Sequence, residues 1–143
     1  MNEFLLINHY LKSLSHKNLG SYNLTDDIYY DNKKNIAISL DTYVEGVHFL
    51  NSDDPKKFLI KIFRSSLSDL YAKGINPKIY FLSLALNEKF AKSNWLKKFK
   101  IILKSEQKKF NVSLAGGDTT YSSKLIISII ILGHSKYKPI LRN

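Results

Sequence analysis

The residues of this sequence that could take part in chemistry lie at four acidic sites. Asp26 and Asp27 stand side by side, Asp41 lies inside an apolar alternation, Asp69 interrupts an apolar helical pattern, and Asp118 follows two glycines. Carboxylates brought together from several elements repel one another unless cations lie between them. Oxygen ligands of this kind suit Mg²⁺, above all when a nucleotide phosphate shares the ion. The constellation predicts magnesium-dependent phosphoryl transfer.

Each of these sites, taken alone, also has an ordinary structural explanation. The Asp26-Asp27 pair is typical of a turn or a cap, Asp69 fits a solvent-exposed helix position, and Gly116-Gly117-Asp118 fits a turn. Ser39 and Asp41 share one face of a predicted strand, which makes either half of a metal site or a solvated polar face. The function therefore depends on whether the fold gathers the acids.

His48 follows the same strand on a loop after Gly46. An imidazole at such a position is either merely exposed or functional, and its closeness to Asp41 along the chain favours the functional alternative. Gly116 and Gly117 permit backbone conformations that other residues avoid, which would let a phosphate approach the main chain ahead of Asp118.

Length and composition indicate one soluble domain spanning residues 1–143. The chain is 44% hydrophobic and contains no cysteine, which excludes disulfides, thiolate catalysis and cysteine-ligated metal centres. No apolar run approaches the roughly 20 residues that span a bilayer, and no leader with a cleavage site is evident. We expect a cytoplasmic protein without a membrane partner.

The net charge of +10 would favour polyanions. Lysine, however, greatly outnumbers arginine, which occurs only at Arg64 and Arg142. Together with abundant Asn, Ile and Tyr, this bias is typical of AT-rich coding sequence. No basic stripe is interleaved with aromatic residues, so we expect no nucleic-acid partner.

Hydrophobic periodicity predicts an α+β fold with a mixed sheet backed by helices. Asp54 and Pro55 predict the beginning of one helix, and Gly74 predicts its end. Ser93-Asn94 predict the N-terminal cap of a second helix. The predicted order is a helix over Glu3–Leu14, a loop over His16–Asn32, a strand from Ile36, a helix from Pro55, a strand over Lys78–Leu86, a helix after Ser93-Asn94, and strands over Asn111–Leu114 and Lys124–Gly133.

Four stretches in this order resemble the N-terminal domain of thiamine-monophosphate kinases. They read LTDDIY at 24–29, ISLDTYVEGVHF at 38–49, SSLSDLYAKGINP at 65–77 and LAGGDTTYS at 114–122. Each stretch is moderately specific alone, whereas the four in one order and spacing are specific, and the resemblance covers nearly all of the chain. It implies a PurM N-terminal-domain-like ATP-binding fold, with strands that complete a barrel across a homodimer.

The resemblance also implies site residues. By position, the metal ligands are Asp27, Ser39, Asp41, Asp69 and Asp118, and several Mg²⁺ ions held by them would bridge the phosphates of ATP. His48 matches the contact to the substrate, thiamine monophosphate. Gly117, Asp118 and Arg142 match positions that contact ATP. The acids singled out by their residue types are therefore the ones that the resemblance assigns.

The sequence departs from the family pattern at three places. Thr25 replaces the glycine usual before the Asp-Asp pair, and Leu40 replaces the hydroxyl residue usual before the strand aspartate. The family also continues into a second domain, so we expect poor turnover by this chain alone and a role for a separate chain that supplies that domain. Two alternatives remain: another ATP-using enzyme of the PurM superfamily, such as selenophosphate synthetase or a hydrogenase maturation factor, or a non-catalytic nucleotide-binding or dimerisation module.

Overall fold

A mixed five-stranded sheet with two long helices on one face forms the body of the chain. The computed structural model describes residues 2–135 and 137–140. Its strands are β1 Tyr29–Asp31, β2 Ile36–Val44, β3 Asn76–Leu86, β4 Ser113–Tyr121 and β5 Ile126–His134, and its long helices are α2 Pro55–Ala72 and α3 Ser93–Phe110. The sheet order is β1-β2-β5-β3-β4, with β3 and β4 parallel and the other pairs antiparallel. The predicted fold class is confirmed.

Helix α2 begins and ends where the sequence predicts. The Asp54 carboxylate accepts a hydrogen bond from the Lys56 backbone N–H at 2.9 Å, and Pro55 occupies the first turn, where its missing N–H costs nothing. The helix ends at Ala72, ahead of Gly74, whose φ of +73° favours glycine. Its buried residues recur at helical spacing and are Phe58, Leu59, Ile62, Phe63, Ser66, Leu67 and Leu70.

Helix α3 crosses over between the parallel strands β3 and β4 and packs beside α2. Its start differs from the prediction: Ser93 is already its first helical residue, Lys92 occupies the cap, and no side chain there caps the free N–H groups. The apolar stripe of α3 faces the core, since Phe99 and Leu103 are buried. The other apolar residues of this stripe pack against the core and are Trp95, Leu96, Ile102 and Phe110.

Strand β5 is the centre of the sheet because it pairs with β2 on one side and with β3 on the other. Its alternate residues Ile127, Ile129 and Ile131 are almost completely buried beneath the helices. The opposite face of the sheet carries no helix of the described chain. Leu40 and Phe81 on that face are 61% and 37% exposed. We call it the open face.

Three segments differ from the sequence prediction. The N-terminal helix is irregular: α1 Glu3–Leu6 passes into a π-helical turn over Ile7–Leu11 and a 3₁₀ turn over Lys12–Ser15. The predicted loop over His16–Asn32 contains short 3₁₀ turns within Leu19–Leu24, interrupted by a kink at Tyr22 and Asn23, and the short strand β1. Strand β4 continues through both glycines to Tyr121, because neither glycine has a positive φ and both pair with β3.

Among the described residues, none of the helices combines the length and the apolar character that crossing a bilayer requires.

Candidate active site

The Asp26-Asp27 pair lies in the loop that leads into β1 and is tied to the end of α2. Lys73 Nζ donates to Asp26 Oδ2 at 2.8 Å, and the side chains of Lys73 and Asp26 are only 10% and 1% exposed. Asp27 is exposed and lines a cavity of about 280 Å³ together with Ser39 of β2. The structure thus brings two of the predicted oxygen ligands to one cavity.

The loop before this pair has an unusual backbone. Tyr22, Asn23 and Leu24 all have positive φ values, of 49°, 56° and 59°. Three successive non-glycine residues in this region are uncommon, because the side chain crowds the backbone there. Thr25, which stands where the family pattern has glycine, donates its hydroxyl hydrogen bond to the Tyr22 carbonyl oxygen at 2.7 Å. Thr25 thereby closes the turn immediately before Asp26.

Asp41 is linked to helix α2 through Tyr43. The hydroxyl of Tyr43 donates to Asp41 Oδ2 at 3.0 Å and lies 3.1 Å from the Ser66 hydroxyl. Burial raises the pKa of Tyr43 above its ordinary value of 10.0, so the hydroxyl remains a donor throughout the neutral range. Alternation along β2 puts Ser39, Asp41 and Tyr43 on the helix-covered face, and the prediction that Ser39 and Asp41 share one face is confirmed.

Asp69 belongs to the same end of α2. It follows Ser66 by three residues and precedes Lys73 by four, so it lies about one helical turn from each. Ser66 is joined to the Asp41 side chain through Tyr43, and Lys73 is joined to the Asp26-Asp27 loop. Helix α2 therefore connects the loop, β2 and Asp69 over little more than two turns.

Asp118 lies on the open face of the sheet. It pairs with Ser83 of β3, and Ser83 pairs with Ser128 of β5. These three residues line a second cavity, of about 370 Å³, on the open face, and Leu40 lies in the lining of both cavities. Asp41 instead pairs with Ile129, whose side chain is buried under the helices. The structure thus does not bring Asp118 together with the other predicted ligands.

Gly117 is required by the close approach of β4 to β3. A Cβ atom built on Gly117 would lie 1.8 Å from the Leu82 carbonyl oxygen, whereas one on Gly116 would meet only the Phe81 ring at 3.2 Å. Gly117 therefore serves strand packing, and both glycines lie within β4 rather than in the turn that the sequence also allowed. Whether Gly117 contacts ATP stays a prediction.

His48 ends a tight turn after β2. Its Nδ1 accepts a hydrogen bond from the Val44 backbone N–H at 3.0 Å, and its ring meets Tyr43 edge-on with centroids 5.5 Å apart. Because Tyr43 also contacts Asp41, one side chain separates His48 from Asp41 in space. His48 also lines a cavity of about 350 Å³ with Lys57 and Lys61 of α2.

The donor chemistry of the predicted ligands fits a hard divalent cation, since all of them offer oxygen. Asp27 and Ser39 already share a cavity. Across residues 2–135 and 137–140, however, no three histidine or acidic side chains are grouped closely enough to hold an ion together. Arg142 lies outside the described residues. The assignment of the five metal ligands and of the ATP contacts thus stays a prediction.

Sequence reasoning missed two residues that organise this region, Tyr43 and Lys73. Tyr43 lies two positions after Asp41, which is the spacing that puts both side chains on one strand face, so the pair could have been found from alternation. Lys73 gave no comparable signal, because a lysine at a helix end is usually a solvated residue that complements the helix dipole.

Comparisons with known proteins agree with this architecture. Residues 24–135 match the family described as AIR synthase related protein, N-terminal domain. The thiamine-monophosphate kinase of Leptospira interrogans is 36% identical over 110 residues, which are 76% of this chain and 36% of that protein. The thiamine-monophosphate kinase of Buchnera aphidicola subsp. Acyrthosiphon pisum is 37% identical over 135 residues, which are 92% of this chain and 41% of that protein.

A solved structure is similar over nearly the whole chain. It is described as AaThiL complexed with AMPPCP and TMP, and it has a TM-score of 0.81 and 30% sequence identity. The match covers 95% of this chain and 43% of that one. This chain therefore spans well under half the length of the relatives that it matches. Because the family model covers most of its residues, the chain belongs to the AIR synthase related proteins and represents their N-terminal domain.

Proposed function

We propose that this chain forms the magnesium- and ATP-binding domain of a thiamine-monophosphate kinase, which transfers the γ-phosphoryl group of ATP to the phosphate of thiamine monophosphate. The observation that carries the proposal is the similarity, over 92% of the chain, to a thiamine-monophosphate kinase. The related structure described as holding AMPPCP and TMP supports ATP and thiamine monophosphate as the substrates. We place the reaction in the cytoplasm.

The residues around α2 have distinct roles in this proposal. Asp27, Ser39, Asp41 and Asp69 hold magnesium, and His48 contacts the substrate. Bound magnesium would neutralise charge on the ATP phosphates. Asp118, Gly117 and Arg142 are assigned to the nucleotide. Asp118 lines a different cavity from Asp27, although Leu40 borders both cavities, so a nucleotide that contacts both acids would have to span the two cavities.

The proposed reaction requires the protein to position the two substrates rather than to supply a strong base. The attacking oxygen of a phosphate monoester is already ionised at neutral pH, so no group has to remove a proton from it. Catalysis then depends on aligning that oxygen with the γ-phosphorus and on stabilising charge in the transition state. The hydrogen bond from Tyr43 to Asp41 serves this purpose by fixing the orientation of a predicted ligand.

The open face supports a homodimer as part of the same proposal. Strand β5 is apolar on both faces, yet the described helices cover one face, and Leu40 and Phe81 are exposed on the open face. An apolar surface of this kind favours association with a second copy. The same surface equally favours the alternative function, a dimerisation module that binds nucleotide without turnover.

Thiamine diphosphate formation from ATP and thiamine monophosphate tests the proposal, with products separated by chromatography. We expect little product from the chain alone and at least a tenfold rise, roughly the effect of completing a misaligned site, when a second-domain polypeptide from a relative is supplied in trans. Asp41→Asn should abolish that rise. Magnesium–nucleotide binding without product in the reconstituted mixture would instead favour the non-catalytic module.

A further inference from the structure

The ion pair between Lys73 and Asp26 lies deeper than a surface salt bridge. The two side chains are 10% and 1% exposed, and their charged atoms are 2.8 Å apart. Exposed pairs contribute little to stability, because water and salt screen them. A buried pair is different, since removing one partner leaves the other charge desolvated and uncompensated. The position of Asp26 therefore depends strongly on Lys73.

Lys73 joins two elements that are far apart in the sequence. It is the residue that caps the C-terminal end of α2, and Asp26 belongs to the loop before β1. That loop contains the three successive positive-φ residues 22–24. A strained backbone of this kind persists only when surrounding contacts hold it. Lys73 supplies such a contact at the end of the loop nearest to the candidate site.

We propose that Lys73 is a positioning residue of this site. Its ion pair with Asp26 sets the place of the neighbouring Asp27 carboxylate in the cavity that Asp27 and Ser39 line. An ammonium group has no lone pair and cannot coordinate a cation, so Lys73 acts on a bound magnesium ion through Asp26 and not as a ligand. This inference rests on the proposed function, because it assumes that Asp27 serves a magnesium–nucleotide complex.

Calorimetric titration of the full chain with AMPPCP in the presence and absence of Mg²⁺ tests this role. Lys73→Met removes the charge and keeps much of the apolar stem. We expect it to weaken magnesium-dependent affinity about 10- to 100-fold, the range found when groups that orient metal ligands are lost. Lys73→Arg should recover most of the affinity. Lys56→Met, at an exposed position on the first turn of α2, is the matched control and should bind as the wild type does.

Melting temperatures of the same variants, measured without ligand, separate positioning from a general loss of fold. If Lys73→Met does not fold, Asp26→Asn provides the second test, since it removes the charge while leaving an oxygen that can accept from Lys73. Wild-type affinity in a folded Lys73→Met or Asp26→Asn variant would overturn the inference and leave the proposed function standing. Absence of magnesium-dependent binding in the wild type would overturn both.

Discussion

Arg64 on α2 donates two hydrogen bonds to the carboxylate of Glu106 on α3, from Nε at 2.6 Å and from Nη2 at 3.0 Å. Glu106 is 4% exposed although it lies in a helix that is otherwise rich in lysine. The hydrogen bonds from Arg64 hold the pKa of Glu106 below its ordinary value of 4.5. The pair fixes α2 and α3 against each other on the helix-covered face of the sheet.

The Glu106 pair makes part of the stability of the fold depend on pH. A carboxyl group whose pKa is lower in the folded state stabilises that state above its unfolded pKa and ceases to do so as the pH falls through the folded one. We therefore expect Glu106→Gln to lower the melting temperature at pH 7 and the difference from the wild type to shrink below pH 4.5. Glu88→Gln, at an exposed position, is the control. A deficit that is constant across pH would contradict the prediction.

Tyr43→Phe should separate packing from orientation at Asp41. The ring contact with His48 is kept, but the hydrogen bonds to Asp41 and Ser66 are lost, which should cost about 1 kcal/mol of unfolding free energy. Magnesium-dependent nucleotide affinity should fall about tenfold as Asp41 loses its orientation. Denaturant unfolding and calorimetry measure the two effects. Tyr71→Phe, an exposed tyrosine on α2, should change neither, and an unchanged affinity in Tyr43→Phe would show that binding does not depend on orientation of Asp41 by Tyr43.

The two glycines of β4 should respond differently to substitution. Gly117→Ala places a methyl group 1.8 Å from the Leu82 carbonyl oxygen, which is backbone and cannot rotate away. We expect it to destabilise the fold by about 1–3 kcal/mol as β4 moves off β3. Gly116→Ala meets only the Phe81 ring and should cost less. Equal unfolding free energies for the two variants in urea would refute this account of strand packing.

The open face gives a direct test of association. We expect the wild type to sediment as a dimer at tens of micromolar, roughly the concentration of common assays. Leu40→Lys should convert it to a monomer, because it places a charge on an apolar surface that a partner would bury. Leu50→Lys is the matched control, since Leu50 is 58% exposed and lies outside the sheet. A wild-type monomer under these conditions would remove the dimer from the proposal.

Much of the fold was predictable because its signals are local. The seven buried positions of α2, its cap at Asp54 and its stop near Gly74 follow from helical periodicity and capping chemistry. Strand β1 could not be predicted in the same way. It has three residues, and in the part of the chain that the structure describes it pairs with β2 alone, so pairing rather than composition makes it a strand.

The errors at the candidate site have a common physical cause. The Gly116-Gly117 pair fits a turn by composition because glycine is favoured in turns, whereas in the structure Gly117 lets two backbones approach closely. Glu106 and Lys73 were indistinguishable from solvated helix residues, since only the tertiary fold brings each to its partner. Whether the acids form one magnesium site depends on the relation between the two faces of the sheet, which alternation within a single strand does not specify.

The central position of β5 has a consequence for how the protein folds. It follows the other four described strands in the sequence, yet the sheet is built around it, and Ile36 near the start of β2 pairs with His134 at the end of β5. Before β5 is made, β2 and β3 have no strand to join them, and each presents an unpaired edge. Sheet closure must therefore wait for contacts between distant parts of the sequence, which slows folding and lengthens the time during which a nascent chain can aggregate.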